Sequence, residues 1–463
     1  MKNNKIFILL PDGVGLRNFA YTNFYSMGKK LGFDLTYWNN TPFDLTSLGF
    51  QEIKIENNKN FWLTVFYKNA RTQIELTLFE KRFKDSTYNS YRFPFASKTL
   101  KQKIKTFFTK CIIKYYNSET KLEILKRKIN RFETQTAYYD DCVKTLKREK
   151  PAFVFCTNQR PITAIAPIQA AKKLGIPTGT FIFSWDNLPK ATLVIDTDYY
   201  FVWSEFMKAQ LQKYYPYIKS EQIIITGTPQ FENHFNSEIR QTKEAFFKQH
   251  HLELTKKYIC YSGDDITTSP NDPQYLLDTA QAVRNLNSKG FNLGIVFRRC
   301  PVDFSNRYDS VLKEFKDVIV PIAPVWRKIE EGWNTILPTP DDMVLQTNTI
   351  AHTEFVVNLG SSMVFDYVAY QKPCVYINYD VATSKLAGWN VRTIYNFIHF
   401  RSMPSNDAVV WFNSTVEIES KIRHLLEQSN DVSVAQKWFE IINEHPADKA
   451  SERIWGYINK ILK

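Results

Sequence analysis

The stretch VVNLGSSMVFDYVAYQKPCVYINYD, Val356 to Asp380, decides how this chain is read. The run ending at Asn358 is short and apolar, as a strand covered on both faces must be. Gly360 supplies a sharp turn, Ser361 or Ser362 caps a helix, and "CVYINY" is a second strand just after Pro373. Strand, turn, helix, strand on this scale is a unit of a parallel sheet. The first backbone N–H groups of such a helix point back at the turn and attract phosphate. The helix dipole contributes about 0.3–1 kcal/mol, and charge-assisted hydrogen bonds about 1.5–3 kcal/mol each. Asp366 lies four residues after Ser362, on the same helix face, where it can reach past phosphates to a ribose diol. A capped helix with a solvated Asp is the simpler alternative, and the stretch alone leaves both open.

Working outward, the pattern repeats. In the second half "KYICYSG", "NLGIVFRR", "VIVPIAP", "FVVNL" and "CVYINY" are strands, and "PQYLLDTAQAVRNLNSKG" and "MVLQTNTIAHTE" are helices between them. The first half opens with the strand "KIFILL", the loop "PDGVGLRN", a helical stretch from Phe19 to Leu31 and the strand "DLTYW". It continues through "PAFVFCTN", "ITAIAPIQAAKKLG", "TGTFIFSW", "YYFVW", the Ser204-capped helix "SEFMKAQLQKYY" and "QIIITG". Each half reads as an open parallel sheet covered by helices. The fold class is therefore α/β with two Rossmann-like lobes. The lobes are placed at 1–235 and 236–463, with the junction in the charged segment after Glu232 and a helical tail from Val416 that could fold back across both.

At 463 residues, with 44% hydrophobic residues, the chain fills two ordinary cores. The N-terminal apolar run is broken by Pro11 and Asp12, too soon for a signal peptide, and no segment approaches the ~20 apolar residues that span a bilayer. The six cysteines are dispersed, without C-x-x-C or zinc-finger spacing, so reduced thiols in a cytoplasm are expected rather than disulfides or a metal site. Of the net charge of +13, nearly all sits in residues 81–150, which hold 19 Lys and Arg against 7 Asp and Glu. No basic recognition helix or aromatic RNA-binding signature accompanies it, which argues against nucleic acid. Phe107, Phe108, Ile112, Ile113, Ile124 and Leu125 alternate with these lysines at helical spacing, which suits an anionic membrane surface as well as it suits a solvated helical face.

Arg298 and Arg299 end the strand "GIVFRR", and ligands of doubly wound sheets gather beyond the carboxyl ends of strands. A guanidinium fork there matches phosphate, and with the Ser361 turn it favours a nucleoside diphosphate. "SWDNLPK" places Ser184, Trp185, Asp186, Asn187 and Lys190 at a strand end of the first lobe, and "TGTPQF" does the same for Thr228; a packed turn and a plain link between lobes are the alternatives. "PDGVGLRN" lacks the third glycine of a dinucleotide fingerprint, since Asn18 stands there. "DTD" at Asp196 to Asp198 reads as a turn rather than a metal motif, "GDD" at Gly263 to Asp265 as a loop able to touch a donor, "HH" at His250 and His251 as solvated, and His352 as ligand or buttress.

"RRCP" at Arg298 to Pro301 and "SSMVFDYVAYQKP" at Ser361 to Pro373 resemble two motifs of bacterial GT-B proteins. That broad group holds nucleotide-sugar glycosyltransferases, CDP-glycerol glycerophosphotransferases and non-hydrolysing UDP-GlcNAc 2-epimerases. "FSWDNLPKA", "FVWSEFMKAQL", "IIITGTPQFENHF" and "NTIAHTEFVVNLGSSM" are similar to further segments of such proteins, over roughly residues 150–380. Cys300 departs from the pattern, standing where the group often has His. The resemblance implies a GT-B fold, with donor contacts from Arg298, Arg299, Gly263, Gly360, Ser361, Ser362 and Asp366. It implies acceptor or cleft contacts from Gly13, Gly15, Arg17, Ser184, Trp185, Asn187, Lys190 and Thr228, with Asp12, or secondarily Asp186, as the base. The expected activity is metal-independent glycosyl transfer from a nucleotide sugar to a lipid-linked saccharide acceptor in cell-surface polysaccharide assembly, with no further cofactor. A CDP-polyol phosphotransferase and a non-catalytic nucleotide-sugar-binding scaffold are the alternatives.

Overall fold

The computed structural model describes residues 3–95, 98–329, 336–382 and 388–463. Ala96 and Ser97 of the basic stretch, and Met1 and Lys2 of the opening run, lie outside the described residues. The chain divides into two compact units, Met1–Pro229 with Ile442–Lys463, and Gln230–Ile441. The division falls a few residues before the predicted one. The end of the tail, which the sequence reading assigned to the second lobe, belongs to the first.

The first unit holds seven parallel strands: β1 (Lys5–Leu10), β2 (Asp34–Asn39), β3 (Glu52–Lys54), β4 (Phe153–Cys156), β5 (Thr178–Phe181), β6 (Tyr199–Val202) and β7 (Ile223–Ile225). Their order is β3-β2-β1-β4-β5-β6-β7. β1 and β4 are buried along nearly their whole length, as central strands covered by helices on both faces must be. The β3-to-β4 crossover carries four helices, Thr64–Phe83, Leu100–Tyr116, Glu119–Glu133 and Ala137–Glu149, so the basic stretch is a helical insertion. Each of the last three starts on a hydroxyl cap, Thr99, Ser118 or Thr136; Thr99 forms a full capping box with Gln102. Leu122, Leu125, Ile129 and Leu146 from these helices join Phe7, Leu9 and Val154 in one core, each worth about 1.5–3 kcal/mol of burial. The helix Ala450–Ile461 closes the unit: Trp455 stacks on Phe24 and donates its Nε1–H to the Phe24 carbonyl at 2.7 Å. Gly28 has no room for a side chain, since a Cβ there would lie 2.6 Å from the Trp455 ring.

The second unit holds β8 (Lys257–Ser262), β9 (Leu293–Arg298), β10 (Ile319–Pro321), a two-stranded antiparallel ribbon of β11 (Trp326–Lys328) and β12 (Ile336–Pro338), then β13 (Val356–Asn358), β14 (Cys374–Ile377) and β15 (Val410–Phe412). The main sheet is parallel, in the order β10-β9-β8-β13-β14-β15. The opening stretch of sequence thus becomes β13, a six-residue helix Met363–Val368, and β14. The ribbon, β3 and β15 were absent from the sequence reading; each is only three residues long and too short to show a period.

Candidate functional site

In each sheet the strand order reverses once, between β1 and β4 and between β8 and β13. Loops leaving the carboxyl ends of the two strands flanking such a reversal diverge to opposite faces, and the crevice between them is where doubly wound sheets bind ligands.

At the first reversal, β1 runs into Asp12, which caps the turn Gly13–Gly15 by accepting the Val14 N–H at 3.2 Å. Asn158, just past β4, donates its Nδ2–H to the Asp12 carboxylate, 3.0 Å to Oδ2 and 3.3 Å to Oδ1. Burial raises the Asp12 pKa, and it outweighs the lowering by Asn158, the positive charge of Arg160 and the Val14 amide. Gly15 allows the two loops to touch: a Cβ there would fall 2.4 Å from the Thr157 hydroxyl oxygen. Arg17 is half-buried, and its Nε has no hydrogen-bond partner.

Gln159 ties in the third loop. Its Nε2–H donates to the Asn187 side-chain oxygen at 3.1 Å, and its own oxygen accepts the Phe183 N–H at 3.0 Å. Within that loop Asp186 is already engaged, by an ion pair with Lys190 and a 3.0 Å hydrogen bond from Asn187. Trp185 is buried and Ser184 half-buried. Thr228 is buried; its N–H donates to Asn443 at 2.9 Å and its hydroxyl accepts from Asn18 at 3.5 Å, so it anchors the returning C-terminal segment. Asp198 of the "DTD" turn accepts from the Thr178 amide and hydroxyl at 2.8 and 2.7 Å, a strand-end cap.

At the second reversal the backbone is crowded. Gly360 has φ +69°, and a Cβ would lie 2.9 Å from Ile394. At Gly263 it would meet the Tyr308 hydroxyl at 3.0 Å and an Asp272 oxygen at 3.1 Å. The Ser361 N–H is held by Asn358 at 2.9 Å and its Oγ accepts the Met363 N–H at 3.4 Å; the Ser362 side chain makes no cap.

Two charged residues read from the sequence as donor ligands are paired inside the unit. Arg298 is buried and donates through Nη2 to both Asp342 oxygens, at 2.7 and 2.9 Å. Asp342 also accepts from the Val325 amide and the Trp326 indole. Asp366, placed by the sequence toward a ribose, is 3% exposed and sits 2.7 Å from Nε2 of His234. Its carboxylate meets His234 inside the unit, so the alternative of a solvated Asp does not hold. Arg299 remains half-buried over the Tyr308 ring, one Nη bonded to the Ser305 carbonyl at 3.0 Å and its Nε without a partner. Burial pushes the Cys300 thiol up to about 12, so it stays protonated at neutral pH.

The sequence reading missed two residues and the state of a third. Asn158 and Gln159 sit in the polar run "TNQR" directly after a buried strand, a signal that was there to use. Asp264 was read as part of a loop able to touch a donor, without its burial. Its Oδ2 is shielded from solvent without a hydrogen-bond partner, and burial, then Asp272, then Asp265, raise its pKa far above the carboxylate range. That shift weakens the repulsion a diphosphate would meet there. Arg307 fixes the loop, bonding to the Asp264 carbonyl, the Ser269 carbonyl at 2.6 Å and Asp303 at 2.7 Å.

No family model and no curated protein matches the chain. Solved structures do match it in fold. The S. aureus MnaA–UDP co-structure is 14% identical, covering 100% of this chain and 97% of the other, with TM-score 0.53. The UDP-GlcNAc 2-epimerase of Methanocaldococcus jannaschii is 13% identical over 98% and 99%, with TM-score 0.52. A glycosyltransferase from Rickettsia africae is 10% identical over 99% and 100%, with TM-score 0.52. At such identities the likeness establishes the architecture: the chain has the GT-B fold, with two Rossmann-like units and a helical C-terminal tail.

Proposed function

We propose that the protein transfers a sugar from a nucleoside-diphosphate sugar to an acceptor hydroxyl, with Asp12 as the base. Asp12 carries this reading. It is a carboxylate at the switch point of its sheet, held by the neutral donors Asn158 and Val14, with a pKa raised by burial toward working pH. The acceptor oxygen bonds to the anomeric carbon, the bond from that carbon to the diphosphate breaks with its electron pair leaving on the phosphate, and the acceptor's proton passes to Asp12.

On the donor side, Gly263 and Gly360 let the strand-end loops pack closely, Ser361 and Ser362 offer hydroxyl donors, and Arg299 supplies a cation for the departing charge. This reading asks for no metal or cofactor besides the donor. The UDP and UDP-GlcNAc named for similar folds make uridine nucleotides the first donors to try. The acceptor is taken to be a membrane-lipid-linked saccharide of cell-surface polysaccharide assembly, reached from the cytoplasmic face. Among the described residues, no helix is long and apolar enough to cross a membrane.

A second reading, a nucleotide-sugar binder without turnover, draws support from the ion pairs of Asp186 and Arg298 and the hydrogen bond of Asp366 to His234. A thermal-shift screen against UDP, GDP, CDP and dTDP, followed by turnover with the sugar form of whichever binds, separates the two. Glycosyl transfer requires a selective shift and turnover that Asp12→Asn abolishes while the shift stays. A shift with no turnover leaves the binder, and no shift at millimolar nucleotide removes both.

A further inference from the structure

The helix Leu100–Tyr116 carries five lysines and no acidic residue. Its packed face, Thr109, Ile113 and Tyr116, rests on the first unit's core. Its other face is an apolar row at i, i+4, i+7, i+8 and i+15. Leu100 is 74% exposed, Ile104 48%, Phe107 64%, Phe108 58% and Tyr115 63%, and the exposed Cys111 completes the row. The 3.6-residue period puts Lys101 and Lys105 along one edge of that row and Lys103, Lys110 and Lys114 along the other.

Water gains nothing from five large apolar side chains on one surface, and a patch of this kind marks an interaction site. The lysines select the partner. A surface that is apolar at its centre and cationic on both edges matches a bilayer with anionic headgroups, where apolar groups enter the acyl boundary while ammonium groups stay at headgroup level. We propose that this outward face of helix Leu100–Tyr116 docks the protein on an anionic lipid bilayer, with Phe107 and Phe108 inserted. The inference deepens the reading of a lipid-linked acceptor and rests on it for its purpose, though docking itself needs neither donor nor acceptor. It also revises the apolar set named from the sequence, because Ile112, Ile113 and Leu125 pack inward.

The test is co-sedimentation of the full chain with vesicles of phosphatidylcholine alone or with about one-third phosphatidylglycerol, together with a polarity-sensitive fluorophore on Cys111. Binding is expected on the anionic vesicles, with a blue shift of the label. It should fall about tenfold or more in Phe107→Ser/Phe108→Ser. It should fall again in Lys101→Gln/Lys105→Gln/Lys110→Gln/Lys114→Gln, and at high salt, where the Debye length drops toward about 3 Å. These side chains are exposed, so unchanged melting temperatures and nucleotide shifts will show that the variants are folded. Absence of binding to either vesicle overturns the proposal. So does binding that Phe107→Ser/Phe108→Ser leaves intact, or a monomer–dimer equilibrium that the same variant abolishes without vesicles, which would make the face a contact between copies. Failure of the nucleotide screen with vesicle binding intact would overturn glycosyl transfer and leave the docking face standing.

Discussion

The two switch points share a strand order and differ in how they treat charge. At β1/β4 the central carboxylate, Asp12, is met by an amide side chain, a backbone N–H and the more distant charge of Arg160, and burial still raises its pKa. At β8/β13 Arg298 is paired with Asp342 and Arg307 with Asp303, Asp366 is hydrogen-bonded to His234, and the acid left over, Asp264, is held toward its neutral form. One edge preserves a reactive group. The other leaves serine hydroxyls and Arg299 outside any ion pair, with the flanking charges fixing its shape. A parallel sheet therefore supplies a crevice, and the donors around each carboxylate decide what the crevice can do.

The largest effect that would break this contrast is at Asp12. Asp12→Asn should lower turnover by roughly 10²–10⁴-fold, with the nucleotide-induced thermal shift unchanged. An activity loss of less than tenfold would make Asp12 a turn residue and the two edges alike. Next is Arg298→Ala, which leaves Asp342 buried without its partner and should cost about 3–5 kcal/mol in a urea melt. If stability held and nucleotide affinity fell instead, Arg298 would be a ligand after all.

His234→Ala should cost about 1–3 kcal/mol, since it strips the hydrogen bond from a buried carboxylate, and Asp366→Ala a similar amount. Loss of nucleotide affinity in Asp366→Ala without loss of stability would restore it as the ribose ligand. The smallest effect is at Asp264. Its pKa is raised in the folded state, so its stabilising contribution is complete below the ordinary carboxylate value near 3.8 and is lost as pH rises toward the folded one. Asp264→Asn should thus raise the melting temperature by about 1–3 °C at neutral pH, with the gain shrinking as pH falls toward 4. A gain independent of pH would mean that Asp264 is ionised.

Much of the site was visible as placement. Asp12, Gly263, Arg299, Gly360 and Ser361 were all expected at strand ends and stand there, because a buried parallel strand announces itself by an unbroken apolar run and a glycine or polar residue where it stops. Partnership was not visible. His234 and Asp366 are 132 residues apart, Arg298 and Asp342 44, and Asp12 and Asn158 146, and no local period encodes such pairs.

The insertion shows the same divide. Sequence identified a basic helical stretch with apolar residues interleaved, but two apolar faces lie on one helix and composition cannot rank them. Tyr116 and Ile113 met a core, Phe107 and Phe108 did not, and only the packing of neighbouring helices settled which was which. What the sequence determined by itself was every long strand, the doubled parallel architecture and the concentration of charge, since these follow from local periodicity and composition. What the tertiary structure decided was which charges are paired, which acid is pushed toward its neutral form, and to which unit the last helix belongs. Those outcomes depend on distances between residues far apart in the chain, and burial changes a carboxylate's chemistry only once the fold has removed its water.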